Sequence, residues 1–409
     1  MRKTSVTQSR ATRLAIIVSH PIQYYVPLYR RLARRDDLEV NVFFTWHGGR
    51  QPTEDHGFKS RFQWDIPLVD GYESEVVENT SGAPGTHRFF GLRNPTLLPR
   101  VLDWRPDIVH VTGYAWHSHL AAIRELSRRS IPVLFRGDSH LLDGPQRGLR
   151  WTAKRLALRR IFKWPAAFLY VGRANRAYYE AMGVPASRLH YCPHSIETDR
   201  FAAPSKELDL RAAAWRQELG IDDDRIVLLF AGKFEAKKRP LQLMQAVQRA
   251  ADSRVVLVMV GDGEFSHEVK HFAGTEPGRF RVIPFQNQSQ MPVVYRLGDL
   301  LILPSAYGET WGLAVNEAFA CSRPALVSDR VGCSLDLIKP GLSGDIFQAD
   351  NWNHFIEKLA ALTLSRQHLK SLGLRAREIS LTNGIAETEA SLVRTIQDTI
   401  PSHPRAIHG

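Results

Sequence analysis

The sequence predicts an α/β protein made of two doubly wound domains that face each other across a cleft, and three observations carry that prediction. The 409 residues exceed the roughly 100–200 that one ordinary core holds, so two domains are expected. Short β-branched runs alternate with longer helical patterns in both halves, the signature of parallel sheets wrapped by helices. The hydrophobic fraction of 44% is enough to fill two cores.

In the first half the strands read LAIIVS, EVNVFFT, IVHVT, VLFRG and AFLYVG; in the second they read IVLLFAG, VVLVMVG, RVIPF, LLILPS and PALVSD. Strand signals lapse across residues 194–224, where proline, alanine and charge take over. The expected organisation is a disordered lead over residues 1–13, an N-terminal domain over 14–200, and a C-terminal domain over 201–384. A helix at about 385–400 is placed to pack back on the first domain. The run Leu14 to Val18 is far below the roughly 20 apolar residues of a membrane span, so a cytoplasmic protein is expected. Cys192, Cys321 and Cys333 have neither CxxC spacing nor an even count, which argues for buried thiols over a disulfide framework or a zinc site.

Net charge is +12, and all of the excess lies in the first half. Residues 1–200 hold 30 Lys and Arg against 18 Asp and Glu, while the rest hold 24 against 24. Such asymmetry points to an anionic partner or surface met by the first half alone, a nucleic acid or an acidic lipid leaflet. Its densest piece runs from Arg147 to Trp164 with seven basic residues and no acid. Those charges spread around the whole helical wheel, so a solvated basic helix competes with a membrane-binding one.

In open parallel sheets ligands bind beyond the carboxyl ends of the strands. FAGKFEAKKRP, residues 230–240, ends a strand at Gly232 and then delivers Lys233, Lys237, Lys238 and Arg239. Four crowded cations suit a diphosphate, or else a solvated turn. PSAYGETWGLAVNEAFAC follows LLIL with a turn and then a helix expected to begin near Gly312. The amides of Gly312, Leu313 and Ala314 would be helix-start donors, with the positive end of the helix dipole behind them. Glu309 falls in the turn, and Glu317 about a turn and a half inside the helix. A carboxylate accepts two hydroxyls, so Glu309 suits a sugar ring and Glu317 a ribose.

The stretch PSAYGETWGLAVNEAFACSRPALVS, residues 304–328, resembles the E-x7-E signature of retaining nucleotide-sugar glycosyltransferases of the GT-B fold, the family-four group. AGKFEAKKRP is similar to that family's phosphate motif. The resemblance is strong over about residues 225–345 and weaker over 14–200. It implies two Rossmann-like domains and a nucleotide diphosphate sugar as donor substrate, with no other cofactor and no metal. It places Gly232, Lys233, Lys238, Phe285, Glu309, Gly312, Leu313, Ala314 and Glu317 at the donor, with Glu309, Lys238 and Lys233 as the catalytic set. Lys233 stands where arginine is usual, and Arg239 where glycine is usual. On the other side, a histidine common in the family is replaced within RGDSH, which makes Asp138 and His140 candidates for that contact beside Arg136. His20 follows the first strand and is a further acceptor-side candidate.

The expected activity is metal-independent transfer of a hexose, with retention, to a glycan or lipid-linked acceptor in cell-surface polysaccharide or glycolipid synthesis. An enzyme at the cytoplasmic face of the membrane fits that activity. The diphosphate leaving group would be stabilised by Lys233, Lys238 and the helix start. No DxD stands at a strand end, and Asp222 to Asp224 precede a strand, where a solvated turn is the simpler reading. His110, inside IVHVT, reads as a core residue. Two other classes compete: a nucleotide-sugar epimerase on the same scaffold, which has no need of a basic acceptor half, and a nucleic-acid-binding protein, for which no recognition motif is present.

Overall fold

The computed structural model describes residues 10–48, 53–55, 60–62, 64–144 and 146–400. Among them the first half forms a seven-stranded sheet and the second a six-stranded one, both parallel throughout. The strands are β1 (Thr12–Val18), β2 (Leu38–Phe44), the antiparallel pair β3 (Thr53–Asp55) and β4 (Ser60–Phe62), then β5 (Glu73–Val76), β6 (Ile108–Thr112), β7 (Val133–Arg136), β8 (Ala167–Tyr170) and β9 (Leu189–Tyr191). The second half carries β10 (Ile226–Ala231), β11 (Val255–Val260), β12 (Phe280–Ile283), β13 (Leu300–Leu303), β14 (Ala325–Ser328) and β15 (Gly344–Phe347).

The sheet orders are β5-β2-β1-β6-β7-β8-β9 and β12-β11-β10-β13-β14-β15. Each order reverses once, between β1 and β6 in the first sheet and between β10 and β13 in the second. At such a switch point the loops leaving two adjacent strands diverge to opposite faces and open a crevice. The loop after β10 carries Lys233 to Lys238, and the loop after β13 carries Glu309. Topology therefore sets the two sequence motifs side by side although they lie about seventy residues apart.

Central strands such as β10 and β11 are buried on both faces, which is why they read as unbroken apolar runs. The strands of the two parallel sheets that the sequence does not announce, β5, β9 and β15, are sheet edges, and each is only partly buried; the antiparallel pair β3 and β4 is also unannounced. Strand β1 begins at Thr12, inside the stretch expected to be a disordered lead. Arg13 there pairs with Glu39 at 3.1 Å and lies 4.4 Å over the Trp104 ring. The remainder of that lead, residues 1–9, lies outside the described residues. All three cysteines are buried and free.

The last helix, Ile385–Thr399, packs on the first sheet. Ile385, Leu392, Val393 and Ile396 join Leu14, Ile16, Val40 and Leu169 in one core, and Glu389 receives Arg31 at 2.6 Å and Arg35 at 3.3 Å. Leu392 is fully buried. Leu392→Ala should cost about 2–5 kcal/mol in urea unfolding, whereas a loss under about 0.5 kcal/mol would mean that the helix contributes little to this core.

Candidate functional site

A cleft of about 570 Å3 opens where the two sheets' carboxyl edges meet. It is lined from the second domain by Gly232, Lys233, Lys238, Phe285, Glu309 and Glu317, together with Gly312, Leu313 and Ala314. The nine residues expected at a donor are thus gathered in one place. From the first domain come Ile22 to Tyr25, Trp64, Asp138 and His194.

The turn after β13 reaches its shape through Gly312, whose φ of +100° belongs to the left-handed region that glycine favours. A Cβ there would also lie 2.9 Å from Val331 Cγ1. The helix Leu313–Ala320 starts at once, and its first bond runs from Val315 N to Gly312 O at 2.9 Å. The preceding amides of Gly312, Leu313 and Ala314 stand at the cleft with the helix dipole behind them. At the neighbouring loop, a Cβ on Gly261 would sit 1.9 Å from the Gly232 carbonyl oxygen, so glycine is required for the loops after β10 and β11 to press together.

Lys238 donates to Glu309 Oε2 in an ion pair, and Ser305 Oγ donates to the same oxygen at 3.0 Å. Both side chains are 15% exposed. Burial pushes the Glu309 carboxyl up, but Lys238, Ser305 and Lys237 outweigh it and hold the group below the usual range, so it is a carboxylate. Lys237 pairs with Glu235 at 3.2 Å.

Arg239, expected at the same phosphate cluster, turns away. It takes a left-handed φ of +52° at the start of the helix Pro240–Ala250, donates to the Ala349 carbonyl, and pairs with Asp350 at 2.6 Å. A left-handed conformation costs a non-glycine residue about 1–2 kcal/mol, which explains why glycine suits this position and why the arginine needs two anchors.

Glu317 is 2% exposed. Its Oε2 accepts the Tyr295 hydroxyl at 2.6 Å, and its Oε1 has no hydrogen-bond partner among the described residues. Burial raises its pKa to about 7, against the opposing pull of Tyr295, Arg200 and Tyr24.

Among the acceptor-side candidates, Asp138 lines the cleft, while His20, Arg136 and His140 do not. His20 accepts or donates at Ser19 Oγ and stands edge-on to Trp46, and burial lowers its pKa to about 4. His140 has a side chain only 1% exposed. Its Nδ1 accepts from Leu142 N at 3.1 Å and its Nε2 donates to the Glu309 carbonyl oxygen at 3.2 Å, so it props the turn from behind. Arg136 is a core residue, 4% exposed. His110 is buried within β6, as its place in the strand implies. Sequence reasoning missed His194, Thr310 and Trp64. His194 lies in YCPHSIETDRF, where no periodicity marks it, and Trp64 meets Phe285 edge-on at 6.5 Å from the other domain.

Among the described residues no group of three or more His, Cys, Asp or Glu is placed to hold a metal ion, and no helix is long and apolar enough to cross a membrane. A family model described as Glycosyl transferases group 1 matches residues 212–379, and one described as Glycosyl transferase 4-like domain matches residues 67–194. A D-inositol 3-phosphate glycosyltransferase of Streptomyces bingchenggensis is 29% identical over 229 residues, 52% of this chain and 49% of the relative. The chain spans about half the length of the curated relatives it matches. Among solved structures, the Anabaena protein HepE in complex with UDP and glucose aligns over 95% of this chain and 100% of its own, with a TM-score of 0.69 at 16% identity. A glycosyltransferase from Rickettsia africae aligns over 96% and 100%, with a TM-score of 0.71 at 13% identity. At those identities the likeness concerns the fold.

The Glu317 carboxyl makes a signed prediction about stability. Between about pH 4.5 and pH 7 the folded chain keeps a proton that the unfolded chain has released, so this group's contribution to stability falls as pH rises through that window. Glu317→Gln keeps an acceptor for Tyr295 and removes the buried charge. Relative to wild type it should gain about 1–3 kcal/mol in urea unfolding on going from pH 5 to pH 8. A pH-independent difference would contradict the raised pKa.

Proposed function

The chain belongs to the GT-B glycosyltransferases of the family-four type, and from that premise we propose that it moves a sugar from a nucleotide diphosphate sugar to a hydroxyl of a glycan or lipid-linked acceptor. The observation that carries this reading is the meeting of Lys233, Lys238, Glu309, Glu317 and a helix start at one switch-point crevice. Such a set matches the donor part by part. The ribose hydroxyls go to Glu317, the diphosphate to the lysines and the amides of Leu313 and Ala314, and the sugar hydroxyls to Glu309. The base is placed against Phe285, Gln286 and Gln288, with Trp64 closing from the opposite domain.

Transfer breaks the bond between the anomeric carbon and the diphosphate oxygen and forms one to the acceptor oxygen, whose proton passes to the departing phosphate. Negative charge grows on that phosphate, and Lys233, Lys238 and the helix dipole meet it, so no metal is required. Glu309 is held by Lys238 and Ser305 and is engaged with sugar hydroxyls, which leaves it a poor nucleophile. Attack from the face the leaving group departs is therefore the proposed course, giving retention. The comparisons favour neither an epimerase nor a nucleic-acid-binding protein.

Glu309→Gln removes a charged acceptor without changing volume. A hydrogen bond to a charged group contributes about 1.5–3 kcal/mol, so transfer should fall at least about tenfold in protein that remains folded by circular dichroism. Lys238→Ala should weaken nucleoside diphosphate binding in calorimetry, and chelator should leave turnover unchanged. Nucleotide diphosphate release from a panel of nucleotide sugars, with and without oligosaccharide or lipid-linked acceptors, is the direct assay. Near-normal turnover of Glu309→Gln, or a strict divalent-metal requirement, would overturn this mechanism.

We further propose that the first domain works against an acidic membrane surface, as a peripheral protein of the cytoplasmic face in polysaccharide or glycolipid synthesis. The helix Leu149–Ile161 supports this, since of its residues Leu158 alone is buried while Leu149 and Leu156 are 90% and 60% exposed among exposed Arg150, Lys154, Arg155, Arg159 and Arg160. Binding to acidic vesicles should be strong at low salt and weak at high salt. Replacing Arg155, Arg159, Arg160 and Lys163 together by glutamine should reduce it without changing nucleotide affinity. Co-sedimentation indifferent to lipid charge would remove the membrane part of the proposal.

A further inference from the structure

His194 lies just beyond β9, where the chain leaves the first sheet, and the reaction described above does not use it. The residue is 4% exposed, stacked on Tyr25 with ring centroids 6.1 Å apart and planes 4° apart, and tilted against Trp311 at 5.9 Å. It therefore touches loops of both domains. Its ring nitrogens face different groups: Arg136 Nη2 lies 3.3 Å from Nδ1, and Asp138 Oδ2 lies 3.6 Å from Nε2.

The tautomer follows from elementary chemistry. A guanidinium offers donors only and keeps its proton, so Nδ1 must be the acceptor. With Nδ1 bare, the ring proton sits on Nε2 and points at Asp138. An imidazolium would set N–H against N–H. Burial and the Arg136 charge both lower the His194 pKa, with Asp138 opposing them. Asp138 is held at about 2, because His194 and Arg136 outweigh burial, and it is ionised throughout the working range. At 3.6 Å the Nε2–H contact is longer than a hydrogen bond and orients the carboxylate as a dipole. Thr310 Oγ1 lies 3.3 Å from the same carboxylate oxygen. The Asp138 side chain is 44% exposed and lines the cleft.

Arg136 reinforces this arrangement. It is buried with no ion-paired carboxylate among the described residues, and donates instead to Cys192 Sγ and the Pro193 carbonyl, both at 3.2 Å, with its guanidinium 5.8 Å over Tyr25. Its Nε has no hydrogen-bond partner among the described residues, so the buried charge rests on the contacts of Nη1 and Nη2. Those contacts fix the segment 192–194 and the ring at its end.

We infer that Arg136 and His194 are positioning residues that aim the Asp138 carboxylate across the cleft as an acceptor for a hydroxyl of a polyhydroxylated substrate. The inference rests on the glycosyltransferase reading for the identity of that substrate, which is either the sugar of the donor or the sugar acceptor. The arrangement of the three side chains is independent of it.

Two measurements on the full chain test it. In protein carrying 15N-labelled histidine, the resonance lost in His194→Gln should report an Nε2–H ring that is neutral at about pH 7 and takes up a proton only below the range of a free imidazole, and in Arg136→Met that ring should exchange between tautomers. Kinetically, His194→Gln places an amide donor near the Nε2 position, whereas His194→Leu supplies volume alone. With the donor found by screening a panel that includes UDP-glucose, the glutamine variant should stay within about threefold of wild-type kcat/KM and the leucine variant should lose at least about tenfold. Nucleoside diphosphate affinity should stay unchanged in both. A rise in KM for the donor would identify the donor sugar as the bound polyol, and a rise for the acceptor would identify the acceptor. An Nδ1–H ring in wild type, or equal losses in the two variants, would overturn the assignment. If wild type turns over no nucleotide sugar, the glycosyltransferase reading falls and the resonance alone decides the positioning claim.

Discussion

The ion pair between Lys238 and Glu309 is the interaction on which the rest of the cleft depends. Each charge is largely withdrawn from water, and burying an ion costs several kcal/mol unless a partner and further hydrogen bonds answer it. Here the partner comes from the adjacent strand of a parallel sheet, and Ser305 adds a hydrogen bond. The pair is possible because β10 and β13 are neighbours at the switch point, so the loop of one delivers the cation and the turn of the other the anion. In the proposed reaction the diphosphate shares the lysine with the glutamate, and sugar hydroxyls join the lysine and Ser305 on the carboxylate.

The first domain also holds that turn. His140 donates to the Glu309 carbonyl, Asp143 accepts from Gly308 N at 2.8 Å, and Arg330 donates back to the Leu142 carbonyl. Residues 138–143 thus act as a brace across the cleft. A second brace lies at the base end, where Asp65 accepts from Ser289 N at 3.1 Å. The carboxylate that contacts sugar in the proposed reaction is therefore shaped by both domains, and a change in their separation would change its position.

The parts of this arrangement legible in the sequence share one physical property: local chemistry dictates them. Central strands are apolar on both faces, and Gly312 ahead of an apolar helix announces a helix start. Two glutamates and a lysine cluster declare a polar ligand. Edge strands β5, β9 and β15 were not legible, because half-burial leaves no strong pattern. The destinations of individual cations were also hidden. Arg239 and Lys238 are adjacent in sequence, yet a left-handed backbone at Arg239 sends it to Asp350 while Lys238 enters the cleft. His140 and Arg136 carry polar side chains next to Asp138 in the chain, but the strand and turn direct one behind the Glu309 turn and the other into the core. His194 gave no signal at all, since its neighbours Tyr25, Arg136 with Asp138, and Trp311 come from three separate stretches.

Hydrogen–deuterium exchange with and without a nucleotide diphosphate sugar tests the central claim most directly, namely that the switch-point crevice of the second sheet is the donor site. Saturating ligand should slow exchange over residues 232–238 and 308–317, because the Leu313 and Ala314 amides and the lysine loop would be engaged, and should leave the helix 149–161 unchanged. Slowed exchange confined to the first domain, or none at 308–317 under conditions where binding is saturated, would contradict the account.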